Sequence, residues 1–206
     1  MHAPVQRLSE GFTLIELMVV VALLAILGTL VGPSFQDMIL KQRLRGVNAE
    51  LVTDLQFARA EAIRLGRIGR FHFRSDSSQT CYSIYYVTTD DNSSSIPRCD
   101  CLLGAGTACT DSKTVELKTV ILPRASSVTV SSKNPIDQTV RPAFGFDPIT
   151  GGLVRFPSDD DTVPLQAVQL DTVVDDNKRH LRVLVVQSGR PTVCAPSAST
   201  MQVAGC

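Results

Sequence analysis

The 206-residue chain has no G-x-S-x-G, no H-E-x-x-H and no phosphate-cradling P-loop, so the common short signatures of hydrolytic and nucleotide chemistry are missing. It has no C-x-x-C, and its three histidines, His2, His72 and His180, are scattered. A structural zinc site needs four clustered Cys or His ligands, so none is expected. Asp90-Asp91-Asn92 and Asp159-Asp160-Asp161 are consecutive. A calcium loop of the EF-hand kind alternates its acids and ends in Glu, so these read as solvated loops. Net charge is lacking too: Lys+Arg and Asp+Glu number 20 each. Setting aside Arg7, Glu10 and Glu16 leaves residues 36–206 at net +1. That gives no global pull toward nucleic acid or anionic lipid. The expectation is a non-enzymatic protein without cofactor or metal.

One stretch lacks charge almost entirely. From Phe12 to Phe35 the only ionisable side chain is Glu16. A bilayer core takes roughly 20 apolar residues of helix, about 17–25 in practice, so the run is long enough to cross a membrane once. A secretory signal peptide has a shorter apolar core, about 7–15 residues, closed by small residues. The segment is therefore expected to stay with the mature protein. Glu16 stands one turn from the start of the run. Either the carboxylate snorkels to the headgroups, or it pairs with a cation at the same depth. No side chain in the run supplies that cation, but an α-amino group freed at Phe12 by cleavage after Gly11 would.

Gly11-Phe12-Thr13-Leu14-Ile15-Glu16, behind a short polar leader carrying Arg7, resembles the prepilin peptidase site of type IV pilins and pseudopilins. The resemblance implies removal of the leader, residues 1–11, between Gly11 and Phe12, with N-methylation of Phe12. It also implies that Glu16 pairs with the Phe12 amine of a neighbouring subunit and sets its register in a helical filament. The implied partners are prepilin peptidase, other major and minor pilins or pseudopilins, and inner-membrane lipid.

Six cysteines, at 81, 99, 101, 109, 194 and 206, behind an export-type N-terminus read as disulfides made in an oxidising compartment. Cys99 and Cys101, separated by one residue, are expected to take different partners. The expected pairing is Cys81–Cys99, Cys101–Cys109 and Cys194–Cys206, though spacing leaves other connectivities open. Lys41, Arg43 and Arg45 outnumber Arg7 across the run, which by charge bias would put the C-terminal side inside. The cysteines and the leader point the other way, to a single-pass inner-membrane protein with a periplasmic C-terminal domain.

Pro33 removes an N–H and crowds the Thr29 carbonyl, so a kink or break is expected there. In 36–68, Leu44, Val47, Leu51, Leu55, Ala58, Ala62 and Leu65 recur every three or four residues. This is one apolar stripe of an amphipathic helix, with Arg45, Glu50, Asp54, Arg59 and Glu61 read as falling mostly off it. Gly66 and Gly69 are stop signals. Residues 69–206 alternate in short runs, with strands expected at 70–75, 81–88, 114–122, 127–132, 143–147, 152–156, 165–171 and 180–186. The intervals 89–113 and 157–164 read as loops, the first pinned by disulfides. The fold class is α+β: a long N-terminal helix, membrane-spanning in its first half, packed on antiparallel sheet.

The segment LQFARAEAIRLGR, Cys81-Tyr82 with the later C-x-C, FDPITG at 146–151, and Ser188-Gly189-Arg190 leading to Cys194 and a terminal cysteine resemble the GspH/FimT group. That group holds minor type IV pilins and the pseudopilin H of type II secretion. The resemblance implies a structural subunit that takes part in assembly or tip priming. Two basic groups stand out, Arg59/Arg64/Arg67/Arg70/Arg74 and Lys178/Arg179/Arg182/Arg190. DNA-binding FimT proteins carry a G-R-x-R motif near the C-terminus, where this chain has Gly189-Arg190-Pro191-Thr192. With Thr192 in place of the second arginine, DNA contact through Arg190, Arg182, Arg179 and Lys178 is the alternative reading.

Overall fold

The structure, a computed structural model, describes residues 11–88, 98–155, 165–174 and 178–206, and only the backbone over 29–34. The leader up to residue 10 and the acidic stretches 90–92 and 157–164 lie outside the described residues. The chain divides into two compact units, Met1–Ile39 and Leu40–Cys206.

Helix α1 runs from Leu14 to Leu65 as a single element. Thr13 starts it: its hydroxyl accepts from the Glu16 N–H at 3.3 Å, satisfying one of the free donors of the first turn. Gly66 ends it. At φ +62° it takes the left-handed turn that disfavours a side chain. The Gly66 N–H returns to Ile63 O at 3.4 Å and the Arg67 N–H to Ala62 O at 3.1 Å, the crossed bonds of a Schellman cap. The expected break at Pro33 is absent, since helical backbone continues through it. Proline deletes one i→i−4 bond at a cost of about 3 kcal/mol, and the turns on both sides keep theirs.

In the first unit the helix is bare. From Phe12 to Leu27 its large apolar side chains are 48–82% exposed. Among the described residues no helix is long and apolar enough to cross a membrane; the side chains of 29–34, which fall inside the apolar run, are not among them.

In the second unit the helix is covered. Leu44, Leu51, Leu55, Ala58 and Ala62 are buried, and Val47 packs beside them half-buried. The apolar stripe read from the sequence is thus the face turned to the core. The strands are β1 (Gly69–Ser75), β2 (Gln79–Val87), β3 (Thr114–Pro123), β4 (Val128–Lys133), β5 (Ala143–Phe146), β6 (Leu153–Val154), β7 (Ala167–Val174), β8 (His180–Val186) and β9 (Pro191–Cys194). They form two antiparallel sheets, ordered β3-β2-β1-β5-β6 and β4-β7-β8-β9. All eight expected strands are present within a few residues. β9 is additional; Pro191 at its head has no N–H to give, which suits the edge position it takes.

Five rings from β1, β2 and β5 fill the space under the helix. Phe71 stacks on Phe144 with centroids 5.1 Å apart, and Phe146 meets Phe144 edge-on at 6.0 Å. Phe73 and Tyr82 complete the cluster. Each buried aromatic ring is worth about 3–5 kcal/mol against truncation to alanine.

The polar side of that packing departs from the sequence expectation. Asp54 is only 3% exposed. Its carboxylate accepts from the Tyr82 hydroxyl at 2.8 Å and from Lys118 Nζ at 2.7 Å. Lys118 also reaches Glu50 at 3.0 Å. Burial and the neighbouring Asp54 push the Tyr82 phenol well above its usual range. Burial pulls the Lys118 ammonium down, but its bonds to Asp54 and Glu50 outweigh this and raise it. The group clamps α1 to β2 and β3.

Candidate functional site

The expected processing residues Gly11 and Phe12 sit with Glu16 at the start of α1, while Pro33 lies farther along the helix. Gly11, Phe12 and Thr13 precede the first turn, and Glu16 lies within it. All four are exposed. Thr13 O accepts the first helical bond, from Leu17 at 3.2 Å. The Glu16 carboxylate forms no hydrogen bond or ion pair among the described residues. A carboxylate in the first turn is favoured by the helix dipole, yet it is surrounded by Leu14, Ile15, Leu17 and Val19 and has no counter-ion of its own. An uncovered apolar surface of this length around one unmatched charge points to contact with other molecules rather than water.

All six cysteines pair: Cys81–Cys101, Cys99–Cys109 and Cys194–Cys206. The expected Cys81–Cys99 and Cys101–Cys109 pairs are therefore incorrect, while the C-terminal pair and the separation of Cys99 from Cys101 hold. The cause is local. The Asp100 N–H bonds Ala108 O at 2.7 Å, so the chain doubles back and sets Cys99 opposite Cys109. Cys101, two residues on, begins a short helical turn that takes it toward β2 and Cys81. Asp100 caps the short turn Cys101–Leu103 through Leu102 N–H at 3.0 Å. The Glu116 carboxylate holds the returning strand by accepting from Gly106 N–H at 2.9 Å and Ala108 N–H at 3.1 Å.

The first basic group does not form a patch. Arg64 is paired with Glu61 at 2.6 Å, Arg74 lies 3.5 Å from Asp100, and Arg70 is buried beside Tyr85. Arg59 turns aside to Gly151 O at 2.9 Å. In the second group Arg182 is committed to Asp171, Nε to Oδ1 at 2.8 Å. Lys178 and Arg179 sit in the turn before β8, where the Lys178 carbonyl binds Thr200 and the Arg179 carbonyl binds Val174 N–H. Thr192, at the place of the missing arginine, donates its hydroxyl to Leu184 O at 3.1 Å. Of the four candidate DNA contacts, Arg190 alone has no bond in the fold among the described residues.

The two described histidines are structural. His72 Nδ1 lies 2.7 Å from Cys99 O, and burial lowers the ring's pKa. His180 Nε2 stands 3.0 Å from Asp171 Oδ1. The nearby Ser199 hydroxyl bonds the His180 backbone, not its ring, so no nucleophile–base relay is assembled. Burial raises the Asp171 carboxyl, but bonds from His180, Arg182 and Gln169 overcome it and hold the group down at about 2. Among the described residues no group of His, Cys, Asp or Glu is arranged to hold a metal ion.

The family model of the prokaryotic N-terminal methylation motif matches residues 6–32, spanning Gly11, Phe12 and Glu16. The family model of type II transport protein GspH matches residues 48–189, from the middle of α1 past β8. The chain belongs to the GspH family. Among solved structures, the type IV minor pilin FimU of Pseudomonas aeruginosa (strain PAO1) is similar at 17% identity. The match covers 79% of this chain and 95% of that one, with a TM-score of 0.47. No curated protein matches. The family model ends at Gly189 and so leaves out Arg190 and the Cys194–Cys206 loop.

Proposed function

We propose that this GspH-family chain is a minor pilin or pseudopilin, cut between Gly11 and Phe12 and N-methylated on Phe12. The apolar helix 12–35 waits in the inner membrane with residues 36–206 in the periplasm, then moves into a type IV pilus or type II secretion pseudopilus. The function is assembly or tip priming. The unmatched Glu16 in the first turn of a bare apolar helix carries this reading. Cleavage places a cation at the mouth of that helix, and the Glu16 carboxylate of one subunit can take the Phe12 amine of the next. Three disulfides and a covered core support an oxidising, extracytoplasmic site for the second unit.

Intact-mass measurement of the membrane-extracted protein tests this. The expected species begins at Phe12 and carries one added methyl group. A mass that includes residues 1–11 in cells with active prepilin peptidase would remove the proposal.

A further inference from the structure

Arg59 and Arg190 belong to separate basic groups in the sequence, yet they line one open groove of about 680 Å³. Arg59 comes from α1 and Arg190 from the turn after β8. Thr150, Gly152, Gln187 and Ser188 complete the walls. Two glycines make this meeting possible. A Cβ at Gly189 would collide with the Gly151 carbonyl oxygen, and one at Gly151 would stand 2.6 Å from Arg59 Nε. Both glycines have positive φ, +74° and +65°. Leu153 N–H bonds Gln187 O at 2.9 Å and ties the two turns further. The groove is thus a fixed feature of the second unit.

Its charge is unbalanced. Arg64, Arg74 and Arg182 each have an acidic partner. Among the described residues Arg59 bonds only Gly151 O, and Arg190 bonds nothing. Two guanidinium forks therefore face one groove, with the Ser188 and Thr150 hydroxyls beside them. A carboxylate matches a guanidinium fork in shape and charge and can be held by two parallel N–H bonds.

We propose that this groove receives an Asp or Glu side chain of a neighbouring filament subunit. The inference rests on the filament reading for the identity of the partner, and on the groove for its chemistry. Nucleic acid is the less suitable occupant. A backbone of regularly spaced phosphates calls for a row of cations, and here Arg182 is spent on Asp171 while Thr192 turns its hydroxyl to Leu184. Two cations in one fixed groove suit a single acid. Because the walls are already in place, little ordering is lost on binding.

The test uses the purified full-length chain in detergent micelles. The probe is a fluorescein-labelled peptide of alternating Asp and Gly, compared at low salt with a 20-base-pair DNA duplex of mixed sequence. The peptide is expected to bind, and Arg190→Gln to weaken it by about tenfold or more. Arg190 has no partner in the fold, so thermal unfolding should be unchanged. Arg190→Lys should restore part of the affinity, and Lys113→Gln, a remote cation, should leave it intact. The proposal is overturned if neither probe binds, if DNA binds and the peptide does not, or if Arg190→Gln has no effect. Equal loss in Lys113→Gln, the mark of diffuse charge attraction, overturns it too. None of these readouts involves cleavage at Gly11, so a failure here is distinct from a failure of the filament reading.

Discussion

The two halves of α1 solve opposite problems with one backbone. From Phe12 to Leu27 nearly every side chain is apolar and none is covered. From Leu40 to Leu65 one stripe is apolar and covered, and Glu50 and Asp54 beside it take Lys118 of the sheet. The first half finds no cover among the described residues of its own chain. The second is satisfied within its own chain. Assembly competence and fold stability should therefore be separable by mutation, and each measurement below is aimed at that separation.

The largest effect is expected at the uncovered end. Glu16→Gln keeps the helix and its Thr13 cap but removes the charge, and should cut recovery in sheared filaments by at least about tenfold, as expected for loss of an ion pair away from water. Thermal unfolding of the second unit should be unchanged. Equal recovery of variant and parent would break the contrast.

Phe71→Ala should do the reverse. Loss of the ring that touches Phe73, Tyr82, Phe144 and Phe146 should destabilise the second unit by about 3–5 kcal/mol in denaturant unfolding. Processing at Gly11 should continue. A loss well under 1 kcal/mol would mean that the rings do not act as a single core.

The smallest effect is a pH dependence. Asp171 is held down at about 2 against an ordinary 3.8. A depressed carboxyl stabilises the fold above its ordinary value. That stabilisation fades as pH falls from about 3.8, where the unfolded chain takes the proton first, and is gone below about 2. The amount is about 2 kcal/mol. Unfolding curves between pH 5 and 2 should show this slope, and Asp171→Asn should flatten it. An identical slope in the variant would place the acid sensitivity elsewhere.

Much of this architecture is legible in the sequence because the signals are local. Seven apolar positions at steps of three and four give the core face of α1, and Gly66 gives its end. Alternation gives eight strands. The errors share a cause. Asp54, expected on the polar flank, lies three residues after Leu51 and four before Ala58, squarely on the buried face. Helical spacing was enough to place it; what it lacked in the sequence was any sign of Tyr82 and Lys118. Two cysteine pairs differ from expectation because spacing along the chain does not give proximity in space, whereas one hydrogen bond, Asp100 to Ala108, fixes the local register. β9 was missed because four residues headed by proline carry almost no periodic signal. The groove had sequence marks, the glycines at 151 and 189 and the arginines at 59 and 190, but nothing along the chain links them.

By itself the sequence determined the apolar run, its single acid, the cleavage signature and the order of one long helix followed by strands, because each depends on residues within a turn or a few strand positions of one another. Tertiary structure alone decided which cysteines join, which charges are buried with partners, and that Arg59 and Arg190 share one groove. Those outcomes depend on contacts between residues far apart in the chain, where the shape of the packed backbone, and not local preference, brings the atoms within bonding distance.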